Sequence, residues 1–335
     1  MPARRTRLVV LIIAPIALVL TVLAAGYAVV VHMPGSSHQG EPPPPDPAER
    51  ELRERLRHHV EGLAGTIGER HYWRPEAKHT AADAIAAGFE AAGLEPVRQP
   101  VPTRDRTFHN IEARIEGRDP ERVLVIGAHY DTVRGSPGAD DNASGVATLL
   151  ELARLLADTE PAVSLRLVAF ANEEAPFFAT PAMGSRVHAE ALAEADVTVV
   201  GMIALEMVGY FDHRPGTQAY PPVVRWFYPD RGDFIAFVGN IESRALVRRA
   251  IGHFREHAHL PSEGMAAPEL LRDIRRSDHA SYWAIGVPAL MITDTANFRN
   301  PHYHRASDTP ETLDYAAMAR LTAALAPAIL DLTRE

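Results

Sequence analysis

The chain has 335 residues, 46% of them hydrophobic, and a formal net charge of −9. That is enough apolar material for one large domain or two smaller ones with a real core. It has no cysteine, which excludes disulfides and thiolate metal sites, and its acidic balance argues against nucleic-acid binding, which needs a basic face.

Residues 1–7 form a short basic tail with Arg4, Arg5 and Arg7. From Leu8 to Val31 run 24 residues without a charge, long enough to span a bilayer as a helix. The arginine bias places the N-terminus in the cytoplasm and the rest of the chain on the extracytoplasmic side. A secretory signal has a shorter apolar core, so the stretch reads as an uncleaved anchor, although "LAAGYA" also fits a cleavage site. Residues 32–47 read as a linker, and the five prolines between Gly35 and Pro47 make it a stiff, extended tether.

Residues 48–335 alternate between helical and strand patterns. Ala48 to Gly65 and His79 to Leu94 read as amphipathic helices. Strand-like apolar runs follow at Arg122 to Ala128, Ser164 to Ala171, Val197 to Leu205, Phe234 to Gly239 and Val287 to Thr293. They are continuous rather than alternating, as in strands buried on both faces. Helical stretches lie between most of them, at Ser144 to Ala157, Ser185 to Ala195, Ile241 to His257 and Ser277 to Ile285, and a last one covers Asp314 to Leu332. The pattern predicts an α/β fold, a three-layer sandwich around a central, mostly parallel mixed sheet. One segment differs: Gly209 to Asp233 holds four prolines and six aromatics and is too irregular for an ordinary connection. It reads either as a surface excursion packing its own aromatics or as a wall of the substrate cleft.

In open α/β sheets, ligands sit beyond the carboxyl ends of the strands. There the chain places His129 and Asp131 after the first run, Glu173 and Glu174 after the second, and Glu206 after the third. A loop after the last run carries His302 and His304, and "SPGADDNASG" (Ser136 to Gly145) follows His129 at a helix start. Singly, each piece has an ordinary reading: Asp140, Asp141 and Asn142 suit a helix cap, and Glu206 a salt bridge. Together on one rim they point to a metal site. Imidazole and carboxylate ligands without thiolate suit zinc or a similar divalent ion in a catalytic site. Five ligands are too many for one open tetrahedral zinc and fit two metals sharing a carboxylate. A further carboxylate would accept a proton from water, and on residue type either Glu173 or Glu174 could do so.

"GAHYDT", "PGADDNASG", "NEE", "LEMVGY", "SDHASYW" and "YHRASDT" stand in this order in the chain, which in this respect resembles the M28 zinc aminopeptidases, from about Leu52 to Leu332. The resemblance implies a zinc-dependent exopeptidase fold and a peptide substrate with a free N-terminus. It implies two zinc ions bridged by Asp141, one held with His129 and Glu206, the other with Glu174 and His304. It further implies Glu173 as general base, Asp131 as the group orienting the His129 ring, and a cis peptide at Asp141–Asn142. Many members have aspartate where Glu206 stands, so an altered approach to the metal is expected. His304 matches the family pattern and His302 does not. Within the fold, the alternatives are a glutaminyl cyclase-like acyltransferase with one zinc and a carboxypeptidase with a cationic group for the substrate carboxylate. A non-catalytic ectodomain is the alternative from another class.

Overall fold

The computed structural model describes residues 18, 21, 26–222 and 224–334. The expected membrane span Leu8–Val31 therefore lies mostly outside the described residues. Among those residues, the helix long and apolar enough to cross a membrane is the C-terminal one, Tyr315–Thr333. It is a core helix, with Leu321, Leu325 and Ile329 buried in the protein interior.

Eight strands form one sheet: β1 (Val97–Pro102), β2 (Thr107–Ile115), β3 (Asp119–His129), β4 (Val163–Phe170), β5 (Thr198–Glu206), β6 (Ile235–Asn240), β7 (Ser262–Ala267) and β8 (Ala289–Thr293). Their order is β1-β2-β4-β3-β5-β8-β6-β7. The central four, β4-β3-β5-β8, run parallel, and β2 and β6 flank them antiparallel. The sheet is thus mixed and mostly parallel. The five continuous apolar runs all became strands, because a strand covered on both faces needs apolar residues on both. Three strands did not announce themselves. The edge strand β1 carries Pro100 and Pro102, β2 interleaves Asn110, Glu112 and Arg114 with its apolar residues, and β7 reads SEGMAA without one β-branched residue.

One face of the sheet is fully covered by helices α1 (Pro47–Val60), α2 (Pro75–Ala91), α3 (Gly145–Leu156), α5 (Arg244–His257) and α7 (Tyr315–Thr333). Their apolar sides form the main core with Leu124, Ile126, Leu165 and Leu167 from the strands. The other face is covered by helices only in part. There α4 (Gly184–Glu194) and α6 (His279–Trp283) pack on Val123, Val125, Val168 and Met202. Beyond them, Phe234, Ala236, Val238 and Met291 form a separate apolar patch over β6 and β8. That half-covered face leaves room for a cavity.

The expected tether lies along the body. Met33 is buried against Gly264, Arg255 of α5 donates to the Pro34 carbonyl, and Arg320 of α7 to that of Pro43.

Candidate active site

β3 ends at His129, β4 leads through Ala171 into Asn172, Glu173 and Glu174, and β5 ends at Glu206. Parallel neighbours put these ends on one edge of the sheet. Loops bring the rest. Asp141 stands just before α3, and its peptide with Asn142 is cis, as expected. Gly145 lets α3 start hard against β5, since a Cβ there would lie 2.4 Å from Asn142 Oδ1 and 2.6 Å from the Leu205 carbonyl. Three non-glycine residues at or beside the site take left-handed backbone: Asn172 (φ 62°), Met207 (φ 49°) and His304 (φ 57°). Such conformations persist where the surroundings enforce them.

The structure brings five residues of this edge into two groups sharing Asp141. His129 Nε2 lies 3.3 Å from Asp141 Oδ1 and 3.3 Å from Glu206 Oε2. His304 Nε2 lies 3.1 Å from Asp141 Oδ2 and 3.3 Å from Glu174 Oε1. Each group could hold a metal ion, and the two oxygens of Asp141 face different groups. The spacing suits zinc, whose bonds of about 2.0–2.2 Å place neighbouring ligand atoms roughly 3.3 Å apart around a tetrahedral centre. His129 Nε2 and Glu174 Oε1 are buried without a hydrogen-bond partner, as atoms reserved for a cation would be. The electrostatics agree. Burial alone would lower the His129 pKa, yet the surrounding carboxylates, Glu206 and Glu173 foremost, raise it well above its ordinary value. Burial pushes Glu174 up to about 7, with Asp141 adding to the effect. Glu173 lies 4.0 Å from His129 Nε2, and burial, reinforced by Glu174, Glu206 and Asp278, holds its carboxyl well above the usual range. His302 stands apart, bonded to Ser307 and packed on Tyr210.

Asp131 does contact the His129 ring, through its backbone carbonyl. His129 Nδ1 donates to the Asp131 backbone carbonyl at 3.1 Å, while the carboxylate is 3.7 Å away. That carboxylate is engaged elsewhere. It accepts the Glu173 and Glu174 amides at 3.0 and 3.3 Å, and Lys78 Nζ lies 3.5 Å from it. Burial works against this charge, but Lys78 and His129 hold Asp131 at about 2. Asp140 also differs from a cap residue. It is fully buried and accepts from Gly209 N and Asn300 Nδ2, tying the loops after β5 and β8 to the metal edge.

Several supporting residues had no clear signal in the sequence. Ser277 Oγ donates to Glu206 Oε2 at 2.7 Å, which settles the longer glutamate in place. Both oxygens of Asp308 accept backbone amides, from Asp140 and Asp141. Buried Arg70 donates to the carbonyls of Leu63, Gly68, Tyr130, Pro137 and Gly138, pinning the approach to Asp141. Ser277 and Asp308 lie within the stretches "SDHASYW" and "YHRASDT", though without an assigned role, and for Lys78 the hint was composition, because it is the only lysine in the chain. It is fully buried, bonded to Asn172 and placed 4.3 Å above the Phe108 ring.

A cavity of about 250 Å³ opens beside Glu206. Its floor is the apolar patch over β6 and β8, and Gln218, Tyr220 and Tyr228 form part of its wall. Part of the irregular segment from Gly209 to Asp233 thus lines this cavity, and its Tyr220 and Tyr228 also stack on one another.

The model of peptidase family M28 matches residues 110–329. The uncharacterized protein YfbL of Escherichia coli (strain K12) is 43% identical over 277 residues, covering 80% of this chain and 84% of that protein. A probable zinc metalloprotease of Pyrenophora teres f. teres is 31% identical over 220 residues, 58% of this chain and 44% of that protein, so the alignment spans under half of its length. Among solved structures, an aminopeptidase from Aneurinibacillus sp. strain AM-1 has the same fold, with a TM-score of 0.63 at 16% identity over 84% of this chain and 94% of that one. The matched segment contains both three-residue groups, and the chain belongs to peptidase family M28 as a zinc metallopeptidase.

Proposed function

We propose that the chain is an aminopeptidase that hydrolyses the first peptide bond of substrates with a free N-terminus. The observation carrying this reading is the pair of three-ligand groups sharing Asp141, with Glu173 beside them. His129, Asp141 and Glu206 would hold one zinc, and Asp141, Glu174 and His304 the other. When bound, the two ions polarise the scissile carbonyl and lower the pKa of water.

Glu173 acts as general base. Its buried carboxylate takes a proton from the attacking water and delivers it to the leaving amine as the C–N bond breaks. Its raised proton affinity suits both transfers. Asp131 fixes the backbone on which Glu173 and Glu174 stand, and Lys78 anchors Asp131. The cationic substrate amine is held among the carboxylates of this edge.

Replacing Glu173 by Gln tests the assignment. Hydrolysis of aminoacyl reporters should fall about 10²- to 10⁴-fold with metal content unchanged. Persistent activity with metals bound would show that another group is the base. Metal analysis separates the peptidase from a one-zinc acyltransferase, since about two ions per chain are expected. Cleavage of N-terminally blocked peptides would favour a carboxypeptidase or endopeptidase. Loss of hydrolysis under every metal would favour a non-catalytic ectodomain.

The uncharged stretch Leu8–Val31 supports a membrane anchor with the catalytic domain on the extracytoplasmic side. Its described end packs on the body beside the cleft wall: Tyr27 lies 5.9 Å from Phe227 and Val30 joins the patch under the cavity. Exposed Trp226 and Leu270 stand in the same region, as membrane-facing residues would.

A further inference from the structure

The cavity beside Glu206 has an unexpected polar member. The register of β5, β8, β6 and β7 places Glu206, Thr293, Ala236 and Glu263 directly opposite one another in a single row. Directly opposed residues share a face, so Glu263 stands on the same face as the proposed metal ligand Glu206. Three strand spacings of about 4.8 Å put its backbone about 14 Å from that of Glu206. The next row, Met291, Val238 and Met265, is apolar.

The orientation of Glu263 follows from its neighbours. Ser262 bonds to Arg255 of α5, and a Cβ on Gly264 would meet Ile251 of α5, so these two residues face the helical layer. Glu263, between them, points the other way and lines the cavity. Arg255 is thus on the opposite side of the sheet, bonded to Ser262 and the Pro34 carbonyl. Glu263 is partly buried and has no hydrogen bond or ion pair among the described residues. The nearby hydroxyls are committed, Tyr228 to the Gly264 carbonyl and Tyr220 to that of Pro229. Arg272 and Arg276 also border the cavity, but both are exposed, and Arg276 is held by Asn297, Tyr303 and Asp273.

An unpaired carboxylate at the far end of an apolar trough fits a ligand with a long aliphatic stem and a cationic tip. We propose that this cavity receives the side chain of the substrate's N-terminal residue and that Glu263 selects arginine or lysine there. The proposal rests on the aminopeptidase reading. The stem would lie on Ala236, Val238 and Met265, and the cation would meet Glu263. The stacked rings of Tyr220 and Tyr228, 5.9 Å apart, offer a flat surface beside it for a guanidinium. Burial raises the Glu263 pKa against the opposing pull of Arg255, as expected of a carboxylate awaiting a partner.

The test uses the zinc-loaded full chain and its Glu263→Gln and Glu263→Leu variants. Calorimetry would measure binding of free L-arginine, L-lysine and L-norleucine, and p-nitroanilides of arginine, lysine, leucine and methionine would measure turnover. A charge-assisted pair predicts that both variants lower the arginine-to-norleucine affinity ratio, and the arginine-to-leucine ratio of kcat/KM, roughly 10- to 100-fold. Unchanged ratios in both variants, or a wild type that favours norleucine and leucine over the basic residues, would overturn the proposal. Glu263-dependent arginine binding without hydrolysis of any anilide would support the cavity assignment while sinking the aminopeptidase reading. Hydrolysis of leucine alone would do the reverse.

Discussion

The two halves of the metal edge are built differently. His129 and Glu206 terminate adjacent central strands, and their side chains are 1% and 9% exposed. Glu174 and His304 stand on loops, and the His304 side chain is 36% exposed, stacked on Tyr303 in a left-handed backbone conformation. The difference lies in the histidines, since the Glu206 and Glu174 side chains are alike 9% exposed while His304 is reachable from solvent and His129 is not. On that difference, an ion at the strand-borne group is expected to be held more tightly than one at the group that includes His304.

Replacing Asp141 by Ala removes what the halves share, so it is expected to have the largest effect. Zinc content after dialysis should fall from about two per chain to nearly none, and hydrolysis by about 10³-fold or more. A variant that still held one ion tightly would show the halves to be independent. Next in size comes the pair His129→Ala and His304→Ala. The first should lower unfolding stability by about 2 kcal/mol or more and the second by under about 1 kcal/mol, with one ion retained in the second. Equal losses in denaturant unfolding and metal analysis would break the comparison.

Ser277→Ala sharpens it. Loss of the hydrogen bond to Glu206 should weaken zinc at the buried position about 10-fold, read by chelator competition, and leave the His304 position unchanged. The smallest effect on the metal edge itself is expected away from both halves, at Glu151 of α3. Burial would raise its pKa, but hydrogen bonds from His59, Arg55 and Arg154 hold it at about 2. Because the folded pKa is depressed, the stabilisation is complete above about pH 4.5 and is lost as pH falls toward 2. Glu151→Gln should therefore flatten the stability profile in that window, removing about 2 kcal/mol of pH dependence without altering metal content.

Local pattern was legible where one element carried the whole message. The continuous apolar runs marked the five strands that bear or frame the site, and the acidic and histidine residues at their ends marked its edge. The polar-alternating β2, the proline-bearing β1 and the small-residue β7 were not legible, because their strand character depends on neighbours that cover or extend them. Among site residues, Asp131 was found, but the atom that orients His129 was not, since backbone and side chain of one residue are indistinguishable in a string of letters. Asp140 looked like a helix cap and became a buried tie between loops that lie 69 and 160 residues downstream.

The chain by itself determined the types of the candidate ligands, their order and their placement after strands. Residue chemistry and hydrophobic period are properties of short segments, and short segments carry them whatever the rest of the molecule does. Tertiary structure alone decided which oxygen of Asp141 faces which group. It also decided that the sole lysine lies buried behind Asp131, and that Glu263 shares a row with Glu206 across four strands. These are distances between residues far apart in sequence. They exist only once strand register and loop packing have been chosen together, because a shift of one residue in register would move Glu263 to the opposite face of the sheet.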